Sequence, residues 1–247
     1  MTSGFAQFRA EREAELVEPY GWLTLSGFYW LPTTPEPLPD LPGMWWASPD
    51  QSAAHHLDEG VEHQLGAAEY ARVPWIEVGE RRVELLRRGG RLAVRVRAAT
   101  SADREGFTGV RLFDYDEAWI VAARFSAYSD DREVEVASIR PDLRQVMHPI
   151  GEVEFDLGGQ PQRLAVTKGK YGWGVEFHDP TNGTETELWR QVHFDPPGPD
   201  GLVTIDFNRA LNMWFAFTDH ATCPAPIAGN DVSVPVRAGE KRYRSIG

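Results

Sequence analysis

Val83-Glu-Leu-Leu-Arg-Arg-Gly89-Gly90-Arg-Leu92-Ala-Val94-Arg-Val96-Arg97 decides the fold class. Leu92, Val94 and Val96 alternate with Arg91, Arg95 and Arg97, so a strand here sends three apolar side chains to one face and three cations to the other. Gly89-Gly90 supplies the two positive-φ residues that a tight hairpin turn needs. The same period returns in Glu133-Val134-Glu135-Val136, and in Val153, Phe155 and Leu157 set against Glu152, Glu154 and Asp156. There Gly158-Gly159 reverses the chain into Leu164-Ala-Val166. Trp173, Val175 and Phe177 continue the pattern, followed by the turn Asp179-Pro-Thr-Asn182-Gly183 and a strand expected over Thr184 to Val192. Short strands broken by Gly, Asn and Pro, with one long helical pattern, read as an all-β protein built as an antiparallel sandwich or barrel.

The helical pattern is at the N-terminus. From Ser3 to Glu18, Phe5, Phe8 and Leu16 fall near one face, Ser3 can cap, Arg9 and Glu13 pair at a four-residue spacing, and Pro19 stops the helix. Residues 1–20 are therefore expected to form a docking helix. An aromatic segment, Gly21 to Leu31, precedes a loop whose Pro32, Pro35, Pro37, Pro39 and Pro42 forbid regular structure. The polar break Asp103 to Gly109 suggests a β subdomain over 21–108 and a C-terminal β domain over 109–247.

A chain of 247 residues with 42% hydrophobic content and nine Trp has material for a sizeable core. Its formal charge of −12 repels phosphate backbones and anionic bilayers, which argues against nucleic acid and membrane surfaces as partners. Small molecules or proteins are the expected partners. The single Cys223 excludes an intramolecular disulfide and fits a reducing compartment. The N-terminus shows no apolar signal core, and the longest apolar run, Ala118 to Ala123, is too short to span a bilayer, so a cytoplasmic location is expected. No cofactor fingerprint is present, and no cofactor is expected.

Polar groups crowd the C-terminal stretch. In Leu202-Val-Thr-Ile-Asp206-Phe-Asn208 a strand points Thr204, Asp206 and Asn208 to one side, where Asp206 and Asn208 either line a pocket or cap the turn into Ala210-Leu211-Asn212. Arg190 is the cation expected opposite Asp206, as a ligand clamp or as a structural pair. Cys223, three residues after His220, gives the minimum for nucleophilic catalysis but also reads as an ordinary buried thiol. Glu240 serves as acid or base only if its neighbours shift its pKa. His55-His56 with His63 invites a metal reading, yet adjacent residues on a strand face opposite ways and nothing completes a tetrahedral set, so no metal is expected. Gly169-Lys-Tyr-Gly172-Trp-Gly174 lacks the order of a phosphate loop and reads as a strand entry. The arginines from Arg81 to Arg97 read as a solvated sheet face, or else as a phosphate site. Trp45-Trp46 reads as packing, or else as a stacking platform.

Asp179-Pro-Thr-Asn-Gly183-Thr-Glu-Thr186, Arg190, Asp206-Phe-Asn208-Arg-Ala210, Asn212, Ala216-Phe217, Ala221-Thr-Cys223-Pro224, Pro226, Asn230 and Ala238-Gly-Glu-Lys241 together resemble the bacterial proteins grouped as domain of unknown function 1684. Trp22, Gly27 and Trp30-Leu31 are similar to that family's N-terminal signature. The resemblance implies an N-terminal β-sandwich somewhat like forkhead-associated domains, followed by a β-rich, barrel-like C-terminal domain that carries the motif. It implies no activity. Asn212-Met213-Trp214-Phe215-Ala216-Phe217 stands where the family reads Asn-Pro-Pro-Cys-Ala-Phe, so the first of two family cysteines is missing, against a two-cysteine role. Gly183-Thr-Glu-Thr-Glu187 likewise lacks a family tyrosine.

Three functions are expected, in this order. The first is binding of a small polar ligand in the C-terminal β domain by Arg190, Asp206, Asn208, Asn212 and Asn230, with Glu240 nearby. The second is a hydrolase in the same pocket, with Asp206 or Glu240 as base and His220 or Cys223 assisting. The third is a phosphopeptide-reading or scaffolding module, by analogy of fold.

Overall fold

The computed structural model describes residues 3–169 and 171–243. The side chain of Ser3, with its expected cap, and Lys170 of the glycine-rich stretch lie outside the described residues. The chain forms two compact units: one runs Ala14–Phe107, and the other takes the chain from Thr108 onward together with the residues up to Glu13. The helix α1 (Ser3–Leu16) contributes to both, with Phe5 and Leu16 buried and Arg9 3.8 Å from Glu13.

The unit Ala14–Phe107 is an antiparallel sandwich. Its strands are β1 (Leu25–Trp30), β2 (Met44–Ala47), β3 (Ala54–Asp58), β4 (Val61–Leu65), β5 (Arg72–Val78), β6 (Arg81–Arg88) and β7 (Arg91–Ala98), followed by the short helix α2 (Ala102–Glu105). One sheet has the order β1-β7-β6-β5 and the other β2-β3-β4. Val83, Leu85, Leu92, Val94 and Val96 from the first meet Trp45, Ala47 and Ala54 from the second in one inter-sheet core. The β6–β7 turn is the expected hairpin: Arg88 pairs with Arg91, and Gly89 and Gly90 sit at φ 57° and 74°. The opposite face of β7 differs from expectation. Arg95 and Arg97 are each only 2% exposed, because β7 lies between β1 and β6 and the Trp22 ring covers both guanidinium groups, each 5.3 Å from its centroid. Trp45 is buried in the core and stacks on His56, while Trp46 stacks on His55.

The other unit is built on one seven-stranded antiparallel sheet. Its strands are β8 (Ile120–Ala127), β9 (Val134–Ala137), β10 (Arg144–Met147), β11 (Pro149–Leu157), β12 (Gln160–Gly169), β13 (Gly172–Phe177), β14 (Arg190–Phe194), β15 (Leu202–Asp206) and β16 (Leu211–Asn212). The large sheet has the order β15-β8-β11-β12-β13-β14-β16, and β9 pairs with β10 separately. β14 comes back alongside β15, so the sheet curls into a half-barrel. Its concave face holds Val153, Leu164, Val166, Val175, Phe177, Val192, Ile205 and Phe207, closed by Val232, Val236 and Ala238 from the C-terminal segment. The strand expected from Thr184 begins only at Arg190. The stretch before it opens with a turn in which Thr184, Glu185 and Thr186 all donate their N–H to the Thr181 carbonyl, so these three amides are withheld from a ladder.

The C-terminal segment closes tightly at Gly239. Its φ is 73°, and a Cβ there would lie 2.4 Å from the Ala210 carbonyl oxygen. Gly239→Ala is therefore expected to destabilise this unit by about 3 kcal/mol, adding a left-handed penalty to an overpacking one. Thermal unfolding should show this as a fall of roughly 6–12 °C; an unchanged transition would mean that the segment shifts aside. Among the described residues no helix is long and apolar enough to cross a membrane.

Candidate functional site

The polar residues singled out in the C-terminal stretch fall into separate bracing networks. Arg190 is fully buried and faces inward from β14, over the Phe177 ring. Its partner is Asp179, not Asp206: Nη2 donates to Asp179 Oδ2 at 2.9 Å and to the Val236 carbonyl at 2.8 Å, and Nη1 donates to the Ala238 and Glu240 carbonyls at 2.6 and 3.3 Å. The register explains the choice. Phe177 pairs with Arg190, so the turn carrying Asp179 starts beside the guanidinium. Asp179 accepts in addition from Thr181 N and Oγ1 and from Val236 N.

Asp206 ends β15 by capping the turn Phe207–Arg209. Its Oδ1 accepts from Asn208 N and Nδ2, and Oδ2 lies 3.3 Å from Arg209 Nε. Asn208 itself exchanges two bonds with the Asp116 backbone. Asn230 holds β12 to β13: its Oδ1 accepts from Ala165 N at 2.7 Å, and Nδ2 donates to the Ala165 and Glu176 carbonyls. Glu240, 2% exposed, accepts from Arg12 Nε at 3.0 Å and from Asn212 N at 2.7 Å, while Arg12 Nη2 donates to the Asn212 carbonyl. Asn212 Nδ2 donates to the Lys241 carbonyl, and its Oδ1 is buried without a partner. Cys223 is buried in an apolar cluster with Trp189, Met213 and Ala221, and His220 is half-buried. Arg190, Asp206 and Glu240 thus point their charged ends at the protein's own backbone and counter-charges. Their geometry is that of a frame.

A different group of polar side chains lies on the convex face of the same sheet. Gly174 pairs with His193 and Glu176 with Gln191, so His193, Glu176 and Gln191 share the side of β13–β14 that faces away from the core. His178 and Trp189 extend this row one step, their rings 6.1 Å apart. His193 lies flat over Gly174, where a Cβ would come within 2.6 Å of its Nδ1. Only a glycine admits the ring in that position. Both nitrogens of His193 are shut away from solvent and neither makes a hydrogen bond of good geometry, the Trp173 carbonyl being a weak partner at most. Glu176 Oε2 and Trp189 Nε1 are buried and unpartnered as well.

Burial sets the protonation of this row. Desolvation drives the Glu176 carboxyl above the ordinary carboxylate range, against the opposing pull of the Thr167 hydroxyl. Desolvation likewise lowers the His193 pKa, the Arg12 cation pushes the same way, and the Trp173 carbonyl partly offsets them. The imidazole is thereby held neutral, one nitrogen a donor and the other an acceptor. The sequence reading missed this pair. Its one signal was polar residues at every second position, Glu176 in Trp-Gly-Val-Glu-Phe and His193 in Arg-Gln-Val-His-Phe, and that signal also describes a solvated face.

Among the described residues no group of three His, Cys, Asp or Glu side chains is placed to hold a metal ion. His55 is engaged by Glu62 at 2.8 Å, and the His56 and His63 rings stack 6.0 Å apart.

A family described as protein of unknown function (DUF1684) matches residues 105–241. The chain belongs to it. The matched range contains the frame just described: Asp179 with Arg190, Asp206 with Asn208, Asn230 between two strands, and Gly239-Glu240 closed on Ala210 and Asn212. A solution NMR structure of an uncharacterized protein from Haloarcula marismortui is similar at 27% identity and a TM-score of 0.47, over 56% of this chain and 78% of that one. A search of curated proteins finds no match.

Proposed function

We propose that this DUF1684 protein binds a small, uncharged polar molecule on the convex face of β13–β14, with Glu176 and His193 as its hydrogen-bonding partners. One observation carries the reading: two neighbouring side chains leave three hydrogen-bonding atoms buried without a well-formed hydrogen bond. Such atoms are uncommon in native folds, since each costs about 1–3 kcal/mol when left unmade, and they are tolerated where a ligand completes them. A protonated carboxyl and a neutral imidazole each offer both a donor and an acceptor, which suits a hydroxyl- or amide-bearing molecule better than an ion. Arg12 adds little attraction for an anion here, because Glu240 neutralises it at 3.0 Å.

Native mass spectrometry of the protein as purified from its host, compared with its denatured mass, tests this. The wild type is expected to retain an extra non-covalent mass that the folded variant His193→Phe loses. A bare mass in the wild type, or the same bound mass in both proteins, overturns the reading.

A second reading is proton transfer to a bound substrate. It is favoured by the convergence of the two groups, since burial moves Glu176 up and His193 down toward a common range. Turnover from an ester, phosphoester and glycoside panel that Glu176→Gln abolishes would support it. A silent panel would count against it.

A further inference from the structure

The sandwich unit carries a cleft of its own, about 320 Å³, with walls from Pro19, Tyr20, Trp75, Arg82, Glu84 and Arg97. That volume falls within the range of small-molecule sites. Two of its walls are aromatic and are put in place by irregular backbone: Trp75 is the extra residue of a bulge between Pro74 and Ile76, and Tyr20 sits at φ 59°. A third wall is a buried cation. Arg97 is 2% exposed, donates from Nε to Glu84 at 2.9 Å and from Nη1 to the Gly21 carbonyl, and leaves Nη2 without a partner.

Charge narrows the ligand. Within the lining Arg82 is tied to Glu77 at 3.1 Å and Arg97 to Glu84 at 2.9 Å, two cations against two carboxylates, while Arg72 reaches Glu84 at 3.6 Å from outside the lining. The lining is charge-balanced, and its buried unmet donor is Arg97 Nη2. A dianion would be repelled by Glu77 and Glu84, whereas a monoanion needs only the unpaired guanidinium nitrogen of Arg97. We infer that this cleft binds a small aromatic carboxylate, its ring between Tyr20 and Trp75 and its carboxylate on Arg97 Nη2. Charge-assisted bonds from a guanidinium to a carboxylate are among the stronger ones, and flat rings pack well on flat rings. Arg82, half exposed and 3.8 Å from the Tyr20 ring centroid, can turn aside to admit the ligand. Its pair with Glu77 lies in solvent, where such pairs hold weakly.

The test is a titration of the full chain with benzoate, following the Trp75 indole N–H by NMR, alongside benzamide as the uncharged isostere and inorganic phosphate as the bare anion. Benzoate is expected to saturate with a Kd below about 1 mM. Benzamide is expected to bind at least about tenfold more weakly, and phosphate is expected not to compete, as one charge-assisted bond and its desolvation imply. Tyr20→Leu, which leaves the Arg97–Glu84 pair intact, should weaken benzoate about threefold or more by removing the stacking wall; Arg97→Gln should abolish binding if it folds. No saturable shift at Trp75, equal binding of benzoate and benzamide, displacement by phosphate, or full affinity in Tyr20→Leu each overturns the assignment.

Discussion

Arg190→Met is expected to cost the DUF1684 unit about 3–5 kcal/mol, the usual penalty for removing one partner of a buried ion pair. That is a large share of the 5–15 kcal/mol by which a typical domain is stable. The size follows from what the guanidinium holds. It is fully buried, it neutralises Asp179 at 2.9 Å, and it donates to the carbonyls of Val236, Ala238 and Glu240. Methionine fills the volume of the stem but leaves one carboxylate and three carbonyls without their donor. Arg190→Lys should fail as well, since one ammonium cannot reproduce a fork that serves four oxygens from two nitrogens. Urea unfolding of wild type, both variants and Asp179→Asn measures this. The double change Arg190→Met with Asp179→Leu should recover part of the loss, because an apolar pair removes the uncompensated charge. A single Arg190→Met within about 1 kcal/mol of wild type would show the network to be dispensable, and would return Arg190 to the list of ligand-binding candidates.

That frame also explains which parts of the molecule were legible in the sequence. Gly89-Gly90 and Gly158-Gly159 announce hairpins because two consecutive positive-φ residues are a local requirement, satisfied without reference to the rest of the chain. The inward alternation of Val153, Phe155 and Leu157 was legible for the same reason. Arg95 and Arg97 look like a solvated face only while Trp22 is out of view, and Trp22 is supplied from seventy residues away. The partner of Arg190 depended on the register of β13 against β14, which no local pattern encodes; Asp206, the nearer guess, was taken by its own turn, as short Asx side chains tend to be. Glu176 and His193 were hidden most completely. Alternation placed them on the face away from the core, and that face is closed in part by residues remote in sequence, Met213, Phe215 and Cys223 around Trp189, while the charge of Arg12 from α1 is felt at His193. Solvation is decided by what arrives over a strand, and the strand itself does not record it.

The same pair should govern how stability depends on pH, with two opposed slopes. The Glu176 carboxyl is raised in the fold above its ordinary 4.5, so between that value and its folded pKa the native state holds a proton that the unfolded chain has released. Its contribution is fully present below pH 4.5 and is lost as the pH rises through the folded value. His193 runs the other way. Its pKa is lowered from 6.5, so the unfolded chain takes up a proton first as the pH falls below 6.5, and stability is lost toward the folded value. Each proton contributes a limiting slope of about 1.4 kcal/mol per pH unit. Glu176→Gln should therefore flatten the alkaline limb and leave the variant more stable than wild type at pH 8, where the wild-type carboxyl is pressed to ionise without a cation to receive it. His193→Gln should flatten the limb below pH 6.5 and spare the other. Urea midpoints collected across pH 4 to 9 for the three proteins separate the two contributions. Parallel curves for wild type and Glu176→Gln would mean that the carboxyl is solvated in the native state, and the ligand reading, which needs it buried and protonated, would fall with it.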